Sequence, residues 1–495
     1  GAIRFARACA DAGVAPILGV DLAVEPPPGD GTPLIPGGGS MVARGCGVRR
    51  SPARGGLPVD DRLPRITVLA RGAASGMAPG QGWAALCRLV TATHLRGERG
   101  RPVTCVELVA EHAQVRRAAY GPGESGSAGS GGSGGHRGSQ VRRGLRPGRS
   151  GSLAGYQESA PGSLVVLLGP DSDVGRAVLA RRWARAEALL RRWVSALPTG
   201  SVVIELTCHD GPPDSPGSAA HCGALARLGI RMGLPLVLTA AVRHVEPGQA
   251  VVADLLDAAR RLVPLAQRHL DRTTTAGHLA SAKSMYAVAR RLAGDDIRAR
   301  ELLRETVALG IACIQHPRDD LSIGGVHLPE PTAIGLAPGV DPQRVLAERC
   351  RAAVPQRYAG AEAAVLARVA DRLDDELAVI ATLGYPTYFL TVATVVDLIR
   401  DRGVRVAARG SGAGSMVNYL LGISGVEPLA HDLLMERFCT PLRAQLPDID
   451  IDTESARRTE IYEAILARFG GARVTCVSMM ETYKVRHAIR DVGAA

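Results

Sequence analysis

The first three hundred residues alternate short apolar runs with stretches of helical spacing, and this alternation limits the fold more than any other property of the chain. The runs are 16–23, 65–70, 164–169, 201–206 and 235–239. Between them, 83–95 and 177–196 carry apolar residues at helical intervals, the second with Trp183, Leu189, Leu190 and Trp193 on one side. Repeated strand–helix units predict a parallel sheet or an α/β barrel covered by helices. In barrels the chemistry gathers at the C-terminal strand ends, where this chain offers Asp21, Glu205 with His209, and His244. Two stretches interrupt the pattern: 26–62, rich in Pro, Gly and Arg, and 121–155, a Gly/Ser tract sprinkled with Arg. Both read as flexible surface insertions.

After residue 300 the texture changes. Residues 361–383 place apolar side chains at 365, 366, 369, 373, 377 and 380, which is helical spacing. Tyr385-Pro386 interrupts it, and 388–401 reads as a second, more buried helix. There follows Arg409-Gly410-Ser411-Gly412-Ala413-Gly414-Ser415, then a helix expected over 416–423, and another over 459–469. Between these last two lies Pro447-Asp448-Ile449-Asp450-Ile451-Asp452. In an extended strand alternate side chains share a face, so the aspartates point one way and the isoleucines the other. A solvated edge strand or a turn can carry the same letters. Burial of the isoleucines fixes the register, however, and forces the carboxylates into one cleft. Repelling anions that close are eased by a cation, most simply one or two Mg²⁺ ions on hard oxygen ligands.

The Gly-Ser run lacks the Gly-Lys-Ser/Thr ending of a P-loop and the dinucleotide fingerprint. It sits between two strongly apolar helices, where a floppy linker would be out of place. Its amides, and the N-terminus of the helix after it, are suited to phosphate oxygens. Arg409, Arg437 and Arg443 lie in or near it, and arginine holds phosphate through bidentate, charge-assisted bonds. A phosphate cradle beside a metal-binding acid strand is the equipment of nucleotidyl transfer.

With 495 residues and 46% hydrophobic content, the chain is large enough for two or three domains. Its formal charge of +11 suits a polyanionic partner. The ten cysteines include no Cys-x-x-Cys pair, which argues against a zinc ribbon or a secreted disulfide scaffold and fits a reducing cytoplasm. No 18-residue apolar span and no signal peptide are present, and no membrane partner is expected. The chain reads as a piece of something longer.

The segments Leu383-Gly-Tyr-Pro-Thr-Tyr-Phe-Leu390, Ala408-Arg-Gly-Ser-Gly-Ala-Gly-Ser415, Leu434-Met-Glu-Arg-Phe438 and Leu446-Pro-Asp-Ile-Asp-Ile-Asp452 closely resemble the palm of bacterial C-family DNA polymerases, and Glu481 to Gly493 continues the match. The variants at 417–426, 454–458 and 478–480 look most like the error-prone branch used in damage-induced mutagenesis. The resemblance implies a polymerase-β-like α/β palm, with 301–495 as its first part, running toward the thumb. It implies that Asp448 and Asp450 hold two Mg²⁺, and that Gly410 and Ser411 contact the incoming deoxynucleoside triphosphate. Arg409 and Arg437 become phosphate partners, with Arg443 and Lys484 as further candidates, while Asp452 takes a supporting place. A third catalytic aspartate would stand on a later strand beyond residue 495, so this stretch is expected to bind metal and nucleotide weakly and not to polymerise alone. DNA primer-template is the implied partner, with a sliding clamp and mutagenesis accessory proteins beside it.

The segments Gly1–Asp21, Leu86–Gly97 and Leu234–Pro247 resemble the PHP (polymerase and histidinol phosphatase) domain, which implies that residues 1–300 form a (β/α) barrel entered part-way and incomplete at its N-terminus. Asp21, His94, His209 and His244 are then candidate remnants of its metal site. Arg243 stands where an acid is usual, which favours a degenerate, structural barrel. The resemblance leaves two competing readings: a metal-dependent phosphoesterase built on the barrel, and a non-catalytic scaffold within a mutagenesis complex.

Overall fold

The computed structural model describes residues 1–26, 63–96, 102–114, 162–261, 264–265, 273–440, 446–470, 474 and 484–494. Apart from Pro26, the two expected insertions lie outside these residues. The chain divides into two compact units, one formed by Gly1–Ile323 with Glu481–Ala495, the other by Gly324–Met480. The boundary expected at residue 300 moves to Gly324, because the helix Asp296–Ala312 crosses that point and belongs to the first sheet. Its Leu302 joins that sheet's core, and its Thr306 Oγ1 accepts the Leu238 N–H at 2.9 Å.

The first unit is built on six strands: β1 (Gly19–Val24), β2 (Arg65–Ala70), β3 (Val103–Thr104), β4 (Leu164–Leu168), β5 (Val202–Thr207) and β6 (Leu236–Thr239). All five apolar runs appear among them, within a few residues of their expected ends. Their order is β3-β1-β2-β4-β5-β6. β4, Leu-Val-Val-Leu-Leu, is buried on both faces, as expected of a central strand covered on each side. Val166, Leu168, Ile204 and Leu206 meet helix residues Leu190, Trp193, Leu225 and Leu228, while Val165, Leu167, Val203 and Val237 pack with Cys313.

The sheet differs from a closed parallel barrel. β1 pairs antiparallel with β2, and β2 antiparallel with β4, while the other three pairings are parallel. Among the described residues β3 and β6 remain the two ends of an open row. An antiparallel partner needs no crossover helix, so a long insertion between the β1 and β2 runs does not prevent their pairing. The expected helix over 177–196 is also two helices, Asp173–Leu179 and Trp183–Ala196, broken where Arg181 takes a φ of 58°. Trp183 opens the second helix and stays 44% exposed, whereas Trp193 is fully buried.

The second unit packs three helices, Pro342–Arg357, Ala363–Leu383 and Pro386–Arg400, around Leu346, Leu373, Leu377, Ile380, Phe389 and Val396. Gly384 ends the middle helix at a φ of 71°, and Pro386 occupies the first turn of the next, where its missing N–H costs nothing. Two strands complete the unit: β7 (Val406–Arg409) and β8 (Asp450–Thr453), paired antiparallel. No helix among the described residues is long and apolar enough to cross a membrane.

Candidate active site

The acid strand folds with the alternation its sequence demands. Asp448, Asp450 and Asp452 are exposed, while Ile449 and Ile451 are half-buried and pack on the helical core. The ladder is shorter than expected, however. β8 begins at Asp450, not Pro447, because its partner ends at Arg409 and the next residue, Gly410, turns away with a φ of 74°. That conformation is open to glycine and strained for most other residues. Asp448 therefore stands two residues beyond the ladder.

Tyr388 takes over where the ladder stops. Its hydroxyl donates to Pro447 O at 2.8 Å and accepts the Ile449 N–H at 3.1 Å, which satisfies the backbone on both sides of Asp448. Burial pushes the Tyr388 phenol up, and the Asp448 and Asp450 carboxylates add to the rise against the opposing Ile449 bond.

Strand pairing then brings the acids to the Gly-Ser turn. Arg409 lies opposite Asp450 and Ala407 opposite Asp452. A Cβ placed on Gly410 would sit 3.7 Å from an Asp450 carboxylate oxygen. Gly410 and Ser411 are both exposed, as is Asp450 beside them. Arg409 reaches diagonally to Asp452 at 3.5 Å, an exposed pair that a competing phosphate can open at little cost. Asp448 and Asp450 meet no basic side chain among the described residues. Among the described residues, the two acids implied as metal ligands are thus the two left without a basic partner.

The rear of the turn is organised by a residue that sequence reasoning passed over. Glu376, on Ala363–Leu383, is 1% exposed and accepts four bonds. They come from Ser415 Oγ (2.8 Å), Met416 N (2.9 Å), Val417 N (3.1 Å) and Arg372 Nε (2.8 Å). Arg372 continues to the carbonyls of Leu433 (3.2 Å) and Gly414 (3.4 Å). The expected role of the following helix therefore changes. That helix is only Met416–Leu420, and the protein's own carboxylate already occupies its first amides, so they are not a phosphate cradle. The reachable part of the motif is the Gly410–Ser411 turn itself. The signal for Glu376 was present: the buried stripe at 369, 373, 377 and 380 also includes position 376, and a carboxylate there requires a partner.

Arg437 is exposed in the short turn Met435–Arg437. Arg443 lies outside the described residues. Lys484 is exposed and groups with the first unit, at the start of the helix Val485–Ala494.

Residues 344–495 match the family profile of the bacterial DNA polymerase III alpha NTPase domain. An error-prone DNA polymerase from Symbiobacterium thermophilum is 31% identical over all of this chain, which covers 37% of that relative. One from Nocardia farcinica is 32% identical over all of this chain and 38% of its own length. Over its whole length, the chain is homologous to error-prone DNA polymerases. A third relative, the error-prone DNA polymerase of Corynebacterium glutamicum, is 42% identical over 142 residues, 29% of this chain and 14% of the relative. The chain spans under two-fifths of the first two of these polymerases.

The candidate barrel residues do not converge. Asp21 is held by Arg65 at 2.7 Å. His94 is exposed on the last turn of Gln81–Arg96. His209 Nε2 lies 2.8 Å from Ala240 O, and both ring nitrogens of His244 face carbonyls, of Glu246 and Thr274. Among the described residues no group of three or more His, Cys, Asp or Glu side chains is placed to hold a metal ion. Glu205, half-buried within β5, accepts the Thr239 hydroxyl at 2.7 Å and is pushed up chiefly by desolvation, with Asp21 and Asp171 adding to it. The phosphoesterase reading gains nothing from this arrangement. The Asp448–Asp450 pair is a different case, because Mg²⁺ commonly takes one or two carboxylates, with water and substrate phosphates completing the shell.

Proposed function

We propose that this segment carries the nucleotide- and metal-binding half of a template-directed DNA polymerase acting in error-prone, damage-induced synthesis. The observation that carries the proposal is the β7–β8 pairing, which sets an exposed glycine-serine turn against Asp450 and, among the described residues, leaves Asp448 and Asp450 without a basic partner. Two hard, exposed carboxylates, one on β8 and one just before it, fit a pair of Mg²⁺ ions. When bound, such ions stabilise the attacking and leaving oxygens of an in-line displacement at phosphorus.

The chain's own residues have separable tasks. Asp448 and Asp450 supply the negative charge that gathers cations beside the turn. Gly410 lets the backbone approach a triphosphate closely, and Ser411 offers a hydroxyl to it. Arg409, released from Asp452, meets phosphate charge, and Arg437 is available on the same unit. In the reaction the primer 3′ oxygen bonds to the α-phosphorus, the bond to the pyrophosphate oxygen breaks, and the hydroxyl proton leaves to solvent or a base. Arg443 stays a candidate phosphate partner by the resemblance, whereas Lys484 groups with the other unit and is given no part in this site.

The test is Asp448→Asn and Asp450→Asn in a full-length polymerase containing this sequence. Primer extension and damage-induced mutagenesis should both be lost. If either variant extends primers at the unsubstituted rate, the reading is wrong and the scaffold alternative takes its place.

A further inference from the structure

The acid pair has one ligand inside the β ladder and one outside it, and this asymmetry needs a physical device to hold the second. Asp450 is fixed by its pairing with Arg409, while Asp448 lies past the point where Gly410 ends the partner strand. A carboxylate on a loose extended segment samples many directions, and holding it still for a cation costs affinity. Tyr388 removes that freedom by acting as a substitute for the missing strand. Its hydroxyl both donates to Pro447 O and accepts from Ile449 N, the two peptide groups flanking Asp448. The ring is itself anchored. Tyr388 belongs to the helix Pro386–Arg400, is half-buried, and meets Phe389, fully buried in the core, edge to face at 5.9 Å.

We propose that Tyr388 is a positioning residue whose hydroxyl, by bridging Pro447 O and Ile449 N, aims the Asp448 carboxylate and so sets the affinity of the Asp448–Asp450 pair for a divalent cation. The proposal rests on the polymerase reading of this site. The hydroxyl touches backbone only and takes no part in proton transfer. Removing it leaves the ring in place, so the effect falls on Asp448's direction and not on the core. Partners that orient metal ligands in this way are worth about 10- to 100-fold in metal affinity.

Mn²⁺ alone is the probe, titrated into the chain and followed by the free-ion electron paramagnetic resonance signal. Asp448→Asn and Asp450→Asn define the binding that belongs to the acid pair. For Tyr388→Phe that component should weaken about tenfold, while the Ile449 amide exchanges faster with solvent. Leu346→Ala serves as the packing control, since Leu346 is buried in the same core on Pro342–Arg357: it should lower the melting temperature and leave Mn²⁺ affinity unchanged. The proposal is overturned if Tyr388→Phe binds Mn²⁺ as the unsubstituted chain does, or if Leu346→Ala weakens binding as much. If Asp448→Asn and Asp450→Asn remove no binding, the polymerase reading of the site fails first, and the role of Tyr388 falls with it.

Discussion

Replacing Glu376 by glutamine tests whether the Gly-Ser turn is held from behind by one buried charge. The carboxylate accepts four hydrogen bonds, two on each oxygen: Arg372 Nε and Met416 N on one, Ser415 Oγ and Val417 N on the other. Glutamine keeps the shape but turns one oxygen into an N–H donor, which then faces two donors. Bonds to a charged acceptor contribute about 1.5–3 kcal/mol each, so losing two costs about 3–6 kcal/mol. Ser415 softens this, because its hydroxyl can rotate and accept from the new amide. The half-buried Arg372 charge loses its counter-ion as well; breaking a fully buried pair costs about 3–5 kcal/mol, and this one costs less. These contributions overlap, and about 3 kcal/mol is the expected net loss for Glu376→Gln. The three tryptophans, Trp83, Trp183 and Trp193, all lie in the first unit, so their fluorescence does not report the second. Hydrogen exchange read by mass spectrometry over 410–421 does. A loss of 3 kcal/mol corresponds to roughly a hundredfold increase in opening. The exposed neighbour Asp375→Asn should stay within about 0.5 kcal/mol. Exchange in Glu376→Gln matching that of Asp375→Asn would refute the clamp.

Three further outcomes follow from particular residues. Gly410→Ala places a side chain in the left-handed region at a φ of 74°, costing about 1–2 kcal/mol. It should weaken binding of a fluorescent deoxynucleoside triphosphate with little change in far-ultraviolet dichroism, and unchanged affinity would show that the turn's shape is irrelevant. Asp173, buried against Trp193, is pushed up chiefly by burial, with the Trp193 bond opposing it. The folded state then holds its proton more tightly than the unfolded one, so stability falls as pH rises from the ordinary carboxylate range through the raised value. In Asp173→Asn the corresponding downward slope should vanish from urea midpoints measured across that range; an identical slope would contradict this. Burial pushes the Cys350 thiol up to about 12 and the Cys313 thiol up to about 11. Iodoacetamide at pH 8 should therefore label exposed Cys87 well before either, and early labelling of Cys350 would place it wrongly in the core.

Much of this architecture can be read from the letters, and the exceptions have identifiable causes. The five apolar runs became strands because β-branched and leucine-rich segments of that length have few other ways to be buried. Their directions were not legible, since pairing sense depends on connections such as the one between β1 and β2, which carry no periodicity. The break at Arg181 was hidden because Ala180-Arg181-Arg182 contains neither glycine nor proline. At the site, isoleucines between aspartates fixed the face each side chain would take. The end of the ladder was set by a glycine forty residues earlier and by a tyrosine on a distant helix, and spacing within 447–452 cannot reveal either. Glu376 was overlooked for a similar reason. A charge inside an apolar stripe announces that it has a partner, but not that the partner is the helix start after the glycine turn.

The most direct test of the account is the location of Mn²⁺ by anomalous scattering in crystals soaked with Mn²⁺ and a non-hydrolysable deoxynucleoside triphosphate. The account predicts a peak about 2.1 Å from carboxylate oxygens of both Asp448 and Asp450, with the triphosphate against Gly410 and Ser411. A well-occupied nucleotide with its metal bound elsewhere, and both carboxylates bare, would contradict it.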